Sequence, residues 1–246
     1  MHGSTDVRAT PRERALAWSV HLYTALGAPI AFAAFLATLA DDARAAFLWM
    51  AAALLIDSTD GTLARTARVK EVLPGFDGAR LDDIVDYLNY VVVPVFFAWH
   101  FGMLPETVSF AVATAPLLAS AYGFCQADAK TADHMFKGFP SYWNIVVFYL
   151  YALDTTPVVN ATVLIGLSVL VFVPIGYVYA SRTPFLRVPT LVLGGLWGIV
   201  MLWTIVQLPE TDRTLLWLTL VYPLYYFALS LALHFRRPVP SRSTNP

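Results

Sequence analysis

The chain has 246 residues, of which 58% are hydrophobic and 13% are charged, whereas a soluble domain carries about a quarter charged residues. This deficit of charge excludes an ordinary soluble domain and indicates an integral membrane protein. The net charge of −1 comes without a concentrated basic patch, so we predict no nucleic-acid partner.

Apolar stretches that are long enough to cross a bilayer, or nearly so, recur along the chain. In chain order, the eight predicted spans are about 16–39, 45–64, 82–101, 107–125, 142–153, 157–180, 187–206 and 213–234. The fifth is the weakest, because WNIVVFYLYAL cannot cross without help from its flanks, and seven spans are the alternative. Only helices with this pattern satisfy their backbone in lipid, so the predicted fold is an all-α integral membrane protein.

The basic residues predict how these spans are oriented. If both termini are cytoplasmic, all of the 16 Lys and Arg except Arg44 and Arg213 fall on the cytoplasmic side. That distribution satisfies the positive-inside rule. We therefore predict a cytoplasmic N-terminal lead over 1–15, a single transmembrane domain over 16–235 and a flexible cytoplasmic tail over 236–246.

Two acidic clusters lie at the ends of predicted spans, in LLIDSTDGTLAR and GARLDDIVDYLNY. A charge in such a place costs several kcal/mol unless something neutralises it. Residues three or four apart share a face of a helix. Asp57 and Asp60 therefore form one stripe, and Gly78, Asp82 and Asp86 form another.

If these two helices pack side by side, their four carboxylates converge and repel one another in a medium of low dielectric constant. Divalent cations would remove that repulsion, and hard oxygen ligands suit Mn²⁺ or Mg²⁺. Two such ions bridged by shared carboxylates recur at sites of in-line displacement at phosphorus. The pattern predicts a site for two ions, with Asp57, Asp60, Asp82 and Asp86 as ligands.

Two glycines and an arginine accompany the carboxylates. A bulky ligand could lie against the helix backbone at Gly61 and Gly78, which have no Cβ, and Arg65 could bind a phosphate in bidentate fashion. Asp77 and Asp83 are interpreted as helix caps or solvated charges. An ion-coupled transporter is the alternative from another functional class, because carboxylates within a membrane often mark an ion path.

Together the clusters resemble the signature of the CDP-alcohol phosphotransferases, integral membrane enzymes that displace CMP from a CDP-linked donor with an alcohol. The matching residues are Asp57, Asp60, Gly61, Ala64, Arg65, Gly78, Asp82 and Asp86. In most of that family the gap between the arginine and the second glycine is shorter than the twelve residues, 66–77, present here. The long gap is similar to that of one branch, the bacterial phosphatidylcholine synthases, and so are SVHLYTALG, VKEVLPGFDG, LDDIVDYLNYVVVP and KGFPSYWNIVVF.

The resemblance implies transfer of a phosphatidyl group from CDP-diacylglycerol to choline, giving phosphatidylcholine and CMP. It also implies dependence on Mn²⁺ or Mg²⁺, a homodimer, and a multi-pass position in the bacterial inner membrane with the active site on the cytoplasmic side. Asp57, Asp60 and Asp82 would hold the metals. Asp86 would complete the second metal site, act as the general base, or do both, and we predict that it takes the proton of the choline hydroxyl. The residues implied for CDP binding are Asp60, Gly61, Ala64, Arg65 and Gly78.

Choline carries a permanent positive charge without an N–H group, so aromatic faces would recognise it by cation–π attraction. The candidate residues near the membrane edge are Tyr23, Tyr87, Tyr90, Tyr122, Tyr142 and Trp143. We predict a choline site from Tyr23, Tyr87, Tyr122 and Trp143. Glu71 is a candidate for the counter-charge, and the alternative is that it is a solvated loop residue. Asn144 is a further candidate for a hydrogen bond to the substrate.

Other acceptors stay open at this point, namely serine, glycerol phosphate and inositol phosphate. A phosphorylated acceptor would need a dedicated basic pocket, which the sequence does not clearly contain. A CDP-choline donor with a diacylglycerol acceptor is chemically parallel, and the aspartates alone do not distinguish it. Because oxygen ligands are at hand, no histidine is assigned to a metal.

Overall fold

The computed structural model describes residues 9–129, 135–179, 183 and 185–236, and this part of the chain is almost wholly helical. The helices are α1 (Pro11–Ala25), α2 (Gly27–Leu39), α3 (Ala43–Thr66), α4 (Val69–Val72), α5 (Gly78–Tyr87), α6 (Val93–His100), α7 (Ser109–Cys125), α8 (Trp143–Ala152), α9 (Pro157–Phe172), α10 (Arg187–Val206), α11 (Arg213–Thr219) and α12 (Val221–Phe235). A π-helical turn (Leu88–Val92) joins α5 to α6, and a 3₁₀ turn (Glu106–Val108) precedes α7. Two strands, β1 (Met135–Lys137) and β2 (Gly176–Val178), form a small antiparallel sheet.

Several helices begin at residues whose side chains cap the free N–H groups of the first turn. Thr10 and Glu13 form a reciprocal capping box at α1, and Pro11 occupies the first turn. Asp42 accepts from the backbone of the first turn of α3, and Asp77 does the same at α5. Asp77 is therefore a helix cap, as its sequence context predicts.

Four helical segments are long and apolar enough to cross a membrane by length and composition: Pro11–Leu39, Glu106–Cys125, Arg187–Val206 and Arg213–Phe235. They correspond to the predicted spans 16–39, 107–125, 187–206 and 213–234. Two further apolar helices, α8 and α9, are shorter. The chain is therefore an all-α membrane protein in its main architecture, whereas the count of eight spans stays a prediction.

The two predicted spans that carry the acidic clusters are helical but less apolar. Span 45–64 corresponds to α3, and span 82–101 corresponds to the run from α5 through the π turn to α6. Neither belongs to the four apolar segments, because the aspartates lower their hydropathy.

The prediction of a sixth span over 157–180 is wrong beyond Phe172. Val173 precedes Pro174 and adopts an extended backbone (φ −82°, ψ 123°), because proline disfavours helical geometry at the residue before it. The chain then enters β2, which pairs with β1 so that Tyr177 lies opposite Phe136. The first helix, in contrast, begins earlier than predicted, at Pro11 within the predicted lead 1–15.

The core lies between the helices, and many apolar side chains face outward. Trp143, Phe47 and Phe97 are among the largest fully buried side chains. Phe110 and Ile199, in contrast, are 80% and 68% exposed, on two of the apolar segments. Apolar surface on this scale is unusual for a soluble monomer and suits contact with lipid.

At one end of the molecule, polar contacts join the loops that the eight-span topology places on the outer face. Arg44 Nε donates to the carbonyl oxygen of Leu208 at 2.8 Å, and His100 Nε2 lies 2.8 Å from Asp41 Oδ1. Arg213 lies 3.8 Å from Asp154 in the same region. These are contacts expected if the helices cross alternately, although the orientation of the termini stays a prediction.

Candidate active site

Three carboxylates meet between α3 and α5. Asp57, Asp82 and Asp86 each offer one oxygen, and these oxygens all lie within 4.8 Å of one another. All three side chains are partly buried, so solvent screens their repulsion only incompletely. The donor set consists of hard oxygen atoms, which fits Mg²⁺ or Mn²⁺. The structure thus brings together three of the four aspartates predicted to share a metal site.

Asp60 does not belong to this group of three carboxylates. Three residues after Asp57, it lies about 60° short of a full helical turn, on a side of α3 that meets α1. There it is buried, 6% exposed, and its Oδ2 accepts a hydrogen bond from Thr24 Oγ1 at 2.9 Å. Of the four carboxylates predicted to converge, the structure groups three, whereas Asp60 contacts Thr24 of α1, a partner that the motif does not contain; its role as a metal ligand stays a prediction.

Asp57 receives a hydrogen bond from the π turn. Tyr90, itself buried, donates its phenol proton to Asp57 Oδ2 at 2.6 Å. A hydrogen bond to an ionised carboxylate is shorter and stronger than one between neutral groups. Tyr90 therefore joins the end of the second acidic motif to the first, across a separation of 33 residues.

The π turn that carries Tyr90 is held by its neighbour Asn89. The buried side-chain amide of Asn89 donates to the carbonyl oxygens of Val85 and Gly27, at 3.0 Å each. Gly27 also lets α2 approach α5 closely, because a Cβ there would lie 2.3 Å from Val85 Cγ1. The helix that carries Asp82 and Asp86 is therefore fixed against α2 by close packing and by a side-chain hydrogen bond.

The remaining residues of the first motif lie around Gly61. Among the described residues, a Cβ at Gly61 would meet only Arg65 Nη1, at 3.4 Å, so the backbone there is open to a ligand. Arg65 is exposed, and its Nη2 donates to Thr62 Oγ1 at 2.9 Å. Ala64 packs partly buried against a small apolar cluster that includes Val69. Gly61 and Arg65 are thus placed where a phosphate could reach them, and Ala64 contributes packing.

Gly78 differs from its predicted role, because a side chain already fills the space beside it. A Cβ at Gly78 would lie 2.6 Å from His21 Cε1. The His21 ring is buried between the rings of Phe76 and Trp18, at centroid distances of 4.3 and 5.7 Å. The predicted room for a pyrophosphate is therefore taken up by α1 on this side of Gly78.

Three of the predicted choline-binding side chains contact groups other than the three clustered carboxylates. Tyr87 donates its hydroxyl proton to the Leu117 carbonyl oxygen at 3.0 Å. Trp143 is fully buried, and its Nε1 donates to Ser120 Oγ at 2.7 Å. Tyr122 is half exposed on α7, with its ring 4.9 Å from that of Phe172. The three rings thus contact separate partners, and their assignment to a choline site stays a prediction.

The other two predicted choline contacts also have nearby partners. The Tyr23 hydroxyl lies 2.8 Å from Thr59 Oγ1, within the first acidic motif. Glu71 forms an exposed ion pair with Arg68, and its hydrogen bond and charge raise the pKa of that guanidinium. Glu71 is therefore already paired with a cation of its own loop rather than poised as counter-charge for choline.

Other contacts around the site were not expected from the motif. The rings of Tyr90 and Tyr142 lie 6.2 Å apart, and Tyr226 of α12 lies 6.3 Å beyond Tyr142. Sequence analysis included Tyr90 and Tyr142 among the aromatic candidates but missed Tyr226, which lies in an aromatic-rich span without a distinguishing motif. It also missed Thr24 and Asn89, because a single polar residue in an apolar helix does not reveal its partner.

Comparison with known proteins adds close relatives, although no family model matches the chain. The phosphatidylcholine synthase of Legionella pneumophila is 45% identical over 228 residues, which cover 90% of this chain and 88% of that protein. The phosphatidylcholine synthase of Pseudomonas aeruginosa is 36% identical over 226 residues, 92% of this chain and 95% of the relative. That of Rhizobium johnstonii is 35% identical over 230 residues, 94% and 95% of the two chains.

Proposed function

The chain belongs to the phosphatidylcholine synthase family, and from this membership we propose that it transfers the phosphatidyl group of CDP-diacylglycerol to choline. The products are phosphatidylcholine and CMP. The observation that carries the proposal is the meeting of Asp57, Asp82 and Asp86 on the two helical runs that hold the acidic motifs. Such a cluster of partly buried carboxylates suits phosphoryl-transfer chemistry supported by divalent metal.

Asp57, Asp82 and Asp86 would hold the divalent cations, and Asp60 is a further predicted ligand that packing now turns toward Thr24. Bound there, Mn²⁺ or Mg²⁺ would offset the charge of the phosphates and of the departing CMP. Gly61 would let the donor approach the backbone of α3, and the exposed Arg65 would bind a phosphate oxygen.

Asp86 would act as the general base in the proposed reaction. It would take the proton of the choline hydroxyl as the choline oxygen forms a bond to the phosphorus of the phosphatidyl group. The bond between that phosphorus and the oxygen that bridges it to CMP breaks, and CMP leaves with the electron pair. A positioned base typically accelerates such a step by about 10²–10⁴-fold.

We also propose in which membrane, and on which side of it, the reaction occurs. Four apolar helical segments support a membrane protein, and the distribution of basic residues favours an inner-membrane position with the carboxylates on the cytoplasmic side. A homodimer is the assembly that the family resemblance implies. At the cytoplasmic face the site would receive water-soluble choline and the headgroup of a membrane-embedded donor.

The test is release of CMP by the purified full-length protein in detergent, given CDP-diacylglycerol and Mn²⁺, with and without choline. We expect CMP and phosphatidylcholine to form only with choline and divalent metal. Asp86→Asn should lower the rate by at least about 100-fold. Asp83→Asn is the matched control, because Asp83 lies on the same helix, next to Asp82, but is not one of the three clustered carboxylates. Its rate should stay near that of the wild type.

Turnover with serine or a phosphorylated alcohol, but not with choline, would overturn the proposed acceptor. Turnover with CDP-choline and diacylglycerol alone would overturn the proposed donor. Absence of CMP with every acceptor would contradict the transferase reaction itself and favour the transporter alternative.

A further inference from the structure

The hydroxyl of Tyr90 offers a function that the acidic motif does not include. Tyr90 lies four residues after Asp86, at the end of the second acidic cluster but not among the eight signature residues, and its hydroxyl lies 2.6 Å from Asp57 Oδ2. The bond therefore joins a neutral donor from one helical run to a carboxylate of the other. That carboxylate is one of the three that meet within 4.8 Å.

The position of the phenol is determined by its surroundings. Tyr90 is 6% exposed and lies within the π turn, next to Asn89, whose amide donates to the carbonyl oxygens of Val85 and Gly27. On the other side its ring packs near that of Tyr142. Short π-helical segments within α-helices often occur at functional sites, where they redirect a side chain.

A carboxylate that binds a cation works best when its orientation is fixed before the cation arrives. Groups that hydrogen-bond to a metal ligand orient it, and their loss typically lowers metal affinity or activity by about 10–100-fold. A phenol is suited to this role beside three acids, because it donates a hydrogen bond without adding positive charge that would compete with the cation. Its bond to Oδ2 restricts rotation of the Asp57 side chain next to Asp82 and Asp86.

We propose that Tyr90 is a positioning residue for the metal site: its hydroxyl holds Asp57 in the orientation in which it shares a divalent cation with Asp82 and Asp86. This inference rests on the metal-dependent chemistry of the proposed function. It also assigns Tyr90 a role other than that of a choline-binding ring.

The test uses Tyr90→Phe, which keeps the ring and removes only the hydroxyl, in the full-length protein in detergent. Binding of Mn²⁺ is measured by electron paramagnetic resonance without any substrate. We expect the Mn²⁺ dissociation constant to rise by about 10–100-fold. Tyr87→Phe is the matched control, because it removes a phenol from the same helical run whose bond goes to the Leu117 carbonyl oxygen instead; its Mn²⁺ affinity should stay that of the wild type.

A second comparison separates positioning from general packing. In an Asp57→Ala background, Tyr90→Phe should weaken the remaining Mn²⁺ binding by much less than it does in the wild type, because the carboxylate that accepts the hydrogen bond is gone. Equal losses in both backgrounds would overturn the inference. So would wild-type Mn²⁺ affinity in Tyr90→Phe, including the case in which only the KM for choline rises, since the phenol would then serve the acceptor.

The outcome is distinguishable from that of the proposed function. If the wild type binds Mn²⁺ and Tyr90→Phe weakens it, but choline yields no CMP, the inference stands and the proposed reaction falls. If choline-dependent CMP forms and Tyr90→Phe binds Mn²⁺ as the wild type does, the reaction stands and the inference falls. A wild type that binds no Mn²⁺ overturns the inference, whatever its turnover.

Discussion

At the scale of single residues, His21 packs closely against Gly78 beside the site. The motif predicts glycine at this position, and the structure supplies a packing reason, because the imidazole ring occupies the place of a Cβ. The ring has little room to move, since it lies between Phe76 and Trp18. Its Nε2 is buried and has no hydrogen-bond partner within the part of the chain that the structure describes.

We predict that Gly78→Ala destabilises the protein by about 1–3 kcal/mol, the usual cost of overpacking, and lowers activity with it. Because the clash is with His21, the double variant Gly78→Ala, His21→Ala should recover most of the lost stability. Thermal unfolding in detergent measures the first effect, and CMP release measures the second.

Gly75→Ala, in the loop that precedes Gly78, provides the control. A Cβ at Gly75 would have no heavy atom of the described residues within 4 Å. The stability of this variant should stay near that of the wild type. If removal of the imidazole leaves the defect of Gly78→Ala unchanged, the glycine is required for another reason, such as space for the donor.

At the scale of the elements, α5 and the π turn are positioned mainly by side-chain contacts with α1 and α2. Asn89 bonds to two carbonyl groups, one in its own helical run and one at Gly27 of α2. A side chain that inserts into the backbone ladder in this way is a recognised cause of irregular helix geometry. The irregular turn begins directly after Tyr87, between Asp86 and Tyr90, so its geometry affects both residues.

We expect Asn89→Leu, which has a similar branched shape, to cost about 1–3 kcal/mol, because it removes two hydrogen bonds from a buried amide to the carbonyl oxygens of Val85 and Gly27. It should also weaken Mn²⁺ binding, since Tyr90 lies within the altered turn and Asp86 shortly before it. Thermal unfolding and paramagnetic resonance of bound Mn²⁺ provide the two measurements.

Thr38→Val is a control in the neighbouring helix, where the buried Thr38 hydroxyl donates only to the Ala34 carbonyl oxygen of its own helix. This variant should leave Mn²⁺ affinity unchanged. An Asn89→Leu protein with unaltered Mn²⁺ affinity would contradict the role of the π turn in shaping the site.

At the scale of the whole molecule, the distribution of polar contacts agrees with helices that cross in alternation. The contacts of Arg44, Asp41 and Arg213 join loops that the predicted topology places on one face. The acidic motifs lie at the ends of α3 and α5 that the same topology places on the other face. The number of crossings and the side of each loop are therefore testable together.

We predict that Cys125, which is exposed at the end of α7, reacts with a membrane-impermeant maleimide in inverted vesicles but not in intact cells with a permeable outer membrane. In a Cys125→Ser background, Glu106→Cys at the other end of the same segment should show the opposite pattern. In the same background, Arg236→Cys should be labelled from the same side as Cys125 if the chain crosses the membrane an even number of times between these two residues.

Cys125→Ser without a new cysteine is the control for background labelling. Reaction of Cys125 from the outside would place the carboxylates on the outer face and contradict the predicted orientation. Labelling of Arg236→Cys from the face opposite to Cys125 would favour seven spans.

The sequence alone was sufficient for the class of protein and for most residues of the candidate site. Low charge and long apolar stretches require a membrane as solvent, whatever the packing. The four-residue spacing of Asp82 and Asp86 places both carboxylates on one face of α5, because helical periodicity is a local property. The end of α9 was within reach of sequence analysis too, since Pro174 restricts Val173 locally, although the apolar pattern alone runs past it.

Only the tertiary structure decided which side chains meet across helices. Asp60 turns to Thr24 and Asp57 binds Tyr90, pairs that are 36 and 33 residues apart. His21 fills the space beside Gly78, which the motif alone left open to a ligand. Such contacts depend on how helices rotate and approach one another, and that is determined by the packing of the whole core rather than by any local pattern.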